Sequence, residues 1–277
     1  MGKEPAVLTI LVTGAGGGVG RAIAERFARD GHRVLGTTRS ADRARALTET
    51  ARAAGWTLSC SRLEFPSPAD IDALVHEVES LGRLDVLVNN AGAGVFGAVE
   101  HVGVDDAARQ FAVNLHGPLD LTRRLLPLLR ASGGRVIWIG SLAGRISLPF
   151  QAHYSATKAS VAAMSDAMRM ELRPLGVQVC CVEPGDFATG FTDARVVIDP
   201  AGSVYKPAQD RCLGAVEEQE RGGPPPDLVA GLVERLCRRR RMPARAPVGR
   251  FARTMCVALR LLPDGVREWA VTRTYRL

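Results

Sequence analysis

Residues 6–12, Ala-Val-Leu-Thr-Ile-Leu-Val, form an almost unbroken β-prone apolar run that empties into Thr13-Gly14-Ala15-Gly16-Gly17-Gly18-Val19-Gly20. A strand without polar alternation is one covered on both faces, as in the middle of a parallel sheet. The turn is followed by a helical pattern that points Ile23 and Phe27 inward and stops at Gly31. Glycines allow the backbone to approach a ligand closely, and a helix start offers unpaired N–H groups and a positive dipole to an anion. The spacing is TGxxxGxG. It is not the GxGxxG fingerprint, because Val19 and Arg21 stand where its last glycine would fall, and it is not a P-loop, because no GK[ST] follows. Thr13, Gly14, Gly16, Gly18, Val19 and Gly20 are therefore candidate phosphate-contacting positions.

Strands and helices alternate onward from this unit. Residues 33–38 read as a second strand that ends in Arg39-Ser40, where nucleotide folds specific for NAD place an acid on the ribose hydroxyls. Thr38 in that place, with Arg39 beside it, leaves room and charge for a 2′-phosphate, so NADP(H) is favoured and NAD(H) is the alternative. Helices are expected over 42–54 and 67–80, and strands over 57–63 and 84–88. The last of these ends in Asn89-Asn90-Ala91-Gly92, a small polar terminus suited to a ligand at the C-terminal edge of a parallel sheet. Asp105 or Asp106 caps a long helical stretch that carries Asn114 and is ended by Gly133-Gly134. A strand over 135–140 delivers Ser141, a helix over 153–172 carries Tyr154 and Lys158, and a strand over 177–182 ends in Glu183-Pro184-Gly185. The pattern is that of an α/β protein, and 277 residues fit one domain better than two.

Tyr154 and Lys158 lie four apart on one helix face, so a phenol and an ammonium project into the same volume. A free tyrosine titrates near pH 10, and a nearby cation is expected to lower that value, which makes the pair an acid/base device. The same spacing also arises by chance on many helices, so the surrounding motifs decide.

Apolar residues make up 46% of the chain and charged residues 23%, which argues against extensive disorder. No apolar run is long enough for a membrane span. The N-terminal apolar stretch runs into a turn instead of a cleavage site, and Gly2 does not begin a myristoylation signal because Ala6 stands where Ser or Thr is wanted. The six cysteines, at 60, 180, 181, 212, 237 and 256, contain no CxxC pair, so free thiols in a cytoplasmic protein and no structural metal are expected. From Glu234 onward there are twelve Arg against three acidic residues, net +9, which leaves residues 1–233 at net −2 out of a total of +7. The basic character belongs to the C-terminal region.

Taken together, TGAGGGVG (13–20), NNAG (89–92), Asn114, Ser141, YSATK (154–158) and PGDFAT (184–189) resemble the short-chain dehydrogenase/reductase family, over residues 6 to about 190. The resemblance implies a doubly wound parallel sheet of the Rossmann type, a nicotinamide dinucleotide, and hydride exchange with a carbonyl or alcohol carbon. It implies that Tyr154 exchanges the proton, that Lys158 stabilises the phenolate and holds the nicotinamide ribose, and that Ser141 hydrogen-bonds the substrate oxygen. Asn114 would hold a water between Lys158 and solvent, Thr189 the carboxamide beyond Pro184-Gly185, and Asn90, Ala91 and Gly92 the cofactor side. Two departures stand out. Glu64 occupies the place of an adenine-side Asp, and Gly17 replaces a basic residue before Gly18, so recognition of a 2′-phosphate would rest on Arg39 with Ser40. The family also implies a homodimer or homotetramer through the two long helices.

Residues 187–226 carry few periodic apolar positions and read as a substrate-covering loop, with Val95, Phe96, Phe150, Phe187 and Phe191 as an apolar substrate wall. Residues 227–277 read as a basic helical region: Asp227 caps a helix with Leu228, Val229, Leu232 and Leu236 inward, and a last helix over 249–262 carries a Phe251, Met255, Ala258, Leu259, Leu262 stripe with Arg250, Arg253 and Arg260 broadly opposite. This region could pack over the pocket, meet a membrane surface, or dock an acidic carrier protein. The leading expectation is an NADP(H)-dependent reductase of a small, fairly apolar carbonyl compound. The alternatives are a ketoreductase for carrier-bound intermediates of secondary metabolism and a non-catalytic cofactor sensor. Nucleic acid is not expected, because the arginines lack interleaved aromatics.

Overall fold

In the computed structural model, which describes residues 7–277, β1 (Thr9–Val12) is buried along its whole length, as its unalternating sequence requires. The expected strand start at Ala6 and the Gly2 reading lie outside the described residues. The chain continues through α1 (Gly18–Arg29), β2 (Arg33–Thr38), α2 (Ala41–Ala53), β3 (Leu58–Arg62), α3 (Pro68–Ser80), β4 (Val86–Asn89) and a two-residue strand β5 (Val95–Phe96). It goes on to α4 (Val104–Phe111), α5 (Gly117–Ser132), β6 (Arg135–Ile139), α6 (Ala152–Leu172), β7 (Gln178–Glu183) and a short β8 (Val196–Val197). Helices α7 (Lys206–Arg221) and α8 (Asp227–Arg238), strand β9 (Arg245–Pro247), and helices α9 (Gly249–Leu261) and α10 (Asp264–Thr274) complete it.

Seven strands form one parallel sheet in the order β3-β2-β1-β4-β6-β7-β9, and β5 pairs with β8 in a separate two-stranded sheet. Strand order reverses between β1 and β4, which opens a crevice beyond their C-terminal ends. Successive residues of β1 serve opposite layers. Ile10 and Val12 pack with Ile23 and Phe27 of α1, Leu47 of α2 and Val233 of α8. Leu11 packs with Leu74 of α3, Leu121 and Leu125 of α5, and Val161 of α6. Each of these large apolar side chains contributes about 1.5–3 kcal/mol when buried, and two such layers are what a doubly wound sheet needs.

Several expectations require correction. Residues 187–226 are not simply a loop, because α7 occupies 206–221 and buries Cys212, Ala215 and Val216. These apolar positions are small and spaced three and four apart, a signal too weak to separate from background. Asp105 and Asp106 sit in the first turn of α4, and Gly103 at the N-cap makes no side-chain cap. The stretch after them is not one helix: residues 112–116 form a wide π turn in which the Gly117 N–H reaches the Ala112 carbonyl. Pro118, at the start of α5, has no N–H to continue the regular ladder. Leu228 is exposed, since the buried stripe of α8 runs through Val229, Leu232, Val233 and Leu236. On α9 the buried positions include Ala252 and Cys256, one step round from the expected stripe, of which Met255, Ala258 and Leu259 are half-buried and Leu262 is exposed. The side chains of Arg250, Phe251 and Arg260 lie outside the described set. Strand β9, helix α10 and the β5–β8 pair carried no legible pattern.

At the far end of β7 the Glu183 carboxylate, 1% exposed, accepts from Arg145 Nε at 3.0 Å and Nη2 at 2.8 Å, and lies 3.4 Å from Arg245 Nη1. Arg145 follows Ser141 by four residues and Arg245 opens β9, so one carboxylate ties three segments together. Replacing Glu183 with Ala strands the Arg145 guanidinium, whereas Arg245 keeps its bonds to Asp166 at 2.6 and 3.1 Å; the change should cost about 3 kcal/mol in urea unfolding. Arg62→Ala, which breaks exposed pairs to Glu64 and Asp70, should cost about 1 kcal/mol or less.

Candidate active site

The glycine turn closes on the end of β4 with almost no clearance. A Cβ on Gly20 would lie 2.3 Å from the Gly14 carbonyl oxygen and 2.4 Å from Asn90 Nδ2, and one on Gly16 would lie 2.6 Å from Thr38 Oγ1. Asn90 Nδ2 donates to the Thr13 and Gly14 carbonyls at 2.9 and 3.3 Å, and Thr13 Oγ1 accepts from the Asn90 and Ala91 N–H groups at 3.0 and 3.1 Å. Thr13, Gly14, Asn90 and Ala91 thus join the two strands at the crevice. Helix α1 begins beside them without a side-chain cap and without an acid in its first turn, and nothing lies within 4 Å of where a Gly17 Cβ would be. An uncapped, acid-free helix start with open space over it fits a pyrophosphate.

The ends of the crevice also meet. The Thr189 side chain lies 3.2 Å from where a Gly18 Cβ would be, so the loop after Pro184-Gly185 abuts the glycine turn beside Val19. Arg39 projects exposed from the end of β2. Ser40 accepts from the Arg43 N–H as the cap of α2, and the Glu64 carboxylate is held by Arg62 at 2.9 Å. Both are local structural partners that sequence spacing did not reveal.

Strand β6 delivers Ser141 to a tight turn, where its Oγ accepts from the Ala143 N–H at 3.1 Å and hydrogen-bonds the Tyr154 hydroxyl. Burial pushes the Tyr154 phenol up to about 12, and the bond from Ser141 opposes that only in part. The expected lowering by Lys158 is absent: its ammonium donates to the Ile139 carbonyl at 2.9 Å and lies 5.7 Å from the centroid of the Tyr154 ring. Burial pushes that ammonium down to about 8. Desolvation outweighs attraction at both groups, which keeps the phenol protonated at neutral pH.

Asn114 lies in the π turn. Its Oδ1 accepts from the Ala93 N–H at 2.7 Å, and its Nδ2 donates to the Ala93 carbonyl at 3.0 Å and to Thr157 Oγ1 at 3.1 Å. The amide therefore locks the loop after Gly92 to α6, with one oxygen lone pair to spare.

Of the five wall residues, Phe191 packs against Tyr154 with ring centroids 5.7 Å apart and planes tilted by 47°, and Phe96 lies 5.9 Å from Phe150. Val95 is buried in β5 beside them. Phe187 is corrected out of the wall: it packs with Val182, Val229 and Val248 in the α1/α8 core layer. Sequence reasoning passed over Arg195, whose guanidinium lies over Phe191 at 5.8 Å and Phe96 at 5.9 Å. Among the described residues no cluster of His, Cys, Asp and Glu could hold a metal, no disulfide joins two cysteines, and no helix is long and apolar enough to cross a membrane.

Comparison with known proteins gives the same frame. The family model described as short chain dehydrogenase matches residues 8–196. The chain is 31% identical to a 3-ketodihydrosphingosine reductase of Bacteroides thetaiotaomicron, over 97% of this chain and 98% of that protein. It is 33% identical to an NADPH-dependent 3-dehydrocapnine reductase of Ornithobacterium rhinotracheale, over 92% of each. Among solved structures, a short-chain dehydrogenase from Streptomyces avermitilis superposes with a TM-score of 0.82 at 31% identity, covering 98% of both chains. One from Burkholderia phymatum in complex with NAD superposes with a TM-score of 0.80 at 25% identity, covering 92% of both.

The electrostatics carry a pH signature. The folded state holds the Lys158 proton less tightly than the unfolded chain, so its ammonium costs stability below about pH 8, and that cost disappears as pH rises toward 10.5. The buried thiols act oppositely above pH 9, with Cys180, Cys181 and Cys237 raised to about 12. The difference in unfolding free energy between wild type and Lys158→Met cancels the contribution of Cys180 and Cys237, leaving only the part of the Cys181 shift that the Lys158 charge opposes. It should move in favour of wild type by about 3 kcal/mol between pH 7 and 10.5; a flat difference would contradict the burial argument.

Proposed function

Because the chain belongs to the short-chain dehydrogenase family, we propose that it is an NADP(H)-preferring reductase of a carbonyl group on a fairly apolar small molecule, with Tyr154 as the proton donor. The observation that carries this reading is the Tyr154 hydroxyl bonded to Ser141, with the Phe191 ring packed beside the Tyr154 ring. The nicotinamide dinucleotide supplies the hydride. This chain does the rest. The glycine turn and the start of α1, braced from behind by Thr13 and Asn90, would take the pyrophosphate, Ala91 and Gly92 would line the adjacent wall, and Thr189 would face the nicotinamide end. The Ser141 hydroxyl orients the substrate oxygen at the Tyr154 proton. Burial keeps the phenol protonated at neutral pH, so the proton is in place, and the alkoxide left by hydride addition is a stronger base than the phenolate and takes it. Lys158 then balances the phenolate, and Asn114 has one lone pair for a water that restores the proton.

The NADP preference rests on Arg39, exposed at the end of β2 with no acid following Thr38, and on the NADPH-dependent 3-dehydrocapnine reductase among the relatives. Initial rates of NADPH and NADH oxidation over a ketone and aldehyde panel test it. Tyr154→Phe should lower kcat by about 10²- to 10⁴-fold while leaving NADPH binding intact. Arg39→Ala should raise KM for NADPH with little change for NADH.

Substrate delivery has a further support. Val257, Leu261, Val266 and Trp269 of α9 and α10 are exposed in a region of net +9, with Arg273 over the Trp269 ring. Exposed apolar side chains beside arginines suit an anionic lipid surface, where an apolar substrate would reside. Co-sedimentation with vesicles containing phosphatidylglycerol should occur at low salt and weaken in Leu261→Ser/Trp269→Ser; equal recovery of both proteins in the supernatant would end this idea.

A further inference from the structure

Val196 pairs with Val95 and Val197 with Phe96, and Arg195, the residue just before β8, is held against Phe96 and Phe191. Its side chain has no exposed surface. One side is taken by Glu220 of α7, whose other oxygen accepts from Thr192 Oγ1 at 2.7 Å. Nε and Nη1 have no hydrogen-bond partner and no solvent. Phe96 and Phe191 flank the guanidinium, and a ring face accepts charge but not the in-plane N–H bonds that a guanidinium makes. Two buried donors on a charged group are costly to leave unmade. The same Phe191 touches Tyr154, and the Arg195 charge is felt at the Tyr154 hydroxyl, where it favours phenolate.

We propose that Arg195 is a specificity-determining residue whose Nε and Nη1 donate to a second oxygen of the substrate, one aromatic ring away from the oxygen that Ser141 and Tyr154 engage. Glu220 already balances the positive charge, so the fitting group is a neutral acceptor such as an ester, thioester or amide carbonyl, borne on an apolar chain that contacts Phe96 and Phe191. This substrate class rests on the reductase reading for the identity of the reacting oxygen, but the recognition itself does not require turnover.

The test is therefore equilibrium binding, by titration calorimetry with NADP+ present, of methyl 3-hydroxyoctanoate and of octan-3-ol, which lacks the second oxygen. Arg195→Met should weaken binding of the ester at least tenfold and of octan-3-ol less than threefold. Since Arg195→Met leaves Glu220 unpaired and could disturb α7, the double variant Arg195→Met/Glu220→Met, which removes both charges, should show the same split. Equal factors for the two ligands, or no change for either, would overturn the proposal, as would tighter binding of the free 3-hydroxyoctanoate anion than of its methyl ester. Arg195-dependent ester binding by a wild-type protein that fails to oxidise NADPH with methyl 3-oxooctanoate would uphold the recognition site and overturn the reductase reading instead.

Discussion

The close approach of α1 to the end of β4 is the constraint on which the site depends. Any side chain at Gly20 would collide with the Gly14 carbonyl and with the Asn90 amide, and that amide bridges the two strands by donating to the Thr13 and Gly14 carbonyls. The contact lies where the sheet's order reverses into an open crevice. It also places the uncapped start of α1 opposite the loop that carries Thr189. The glycines are thus needed twice, once for packing and once for leaving backbone N–H groups free toward a ligand.

The reacting end is organised from the neighbouring strand. β6 ends in Ile139, whose carbonyl takes the Lys158 ammonium, and two residues later it yields Ser141, which takes the Tyr154 hydroxyl. Two side chains four apart on α6 are therefore both registered against one strand end. Glu183 fixes that strand end from below through Arg145, while Asn114 fixes the loop after Gly92 to the other side of α6. The cost of this rigidity is desolvation, visible in a phenol raised to about 12 and an ammonium lowered to about 8.

Beyond residue 190 a second layer encloses the site. Phe191, Arg195, the β5–β8 pair and α7 form a wall that contains both apolar faces and buried donors. Such a wall discriminates by chain packing and by hydrogen bonding together, and the second is the stronger filter because unmet buried donors penalise the wrong ligand.

The sequence by itself determined the alternation of six strands with helices up to residue 183, because fully buried parallel strands and their glycine exits are local patterns. It determined the Tyr154, Lys158 and Ser141 set and the glycine turn, because these are read from spacing along single elements. What only the tertiary structure decided are quantities set by groups distant in the chain. The Tyr154 and Lys158 shifts depend on burial by the whole sheet, Phe187 was drawn from the pocket into the core by α8, and α7 owes its stability to contacts its own weak periodicity does not announce. Arg195 is the clearest case: its meaning comes from Glu220, Phe96 and Phe191, none of them a neighbour in the pattern along the strand, so no local period could have pointed to it.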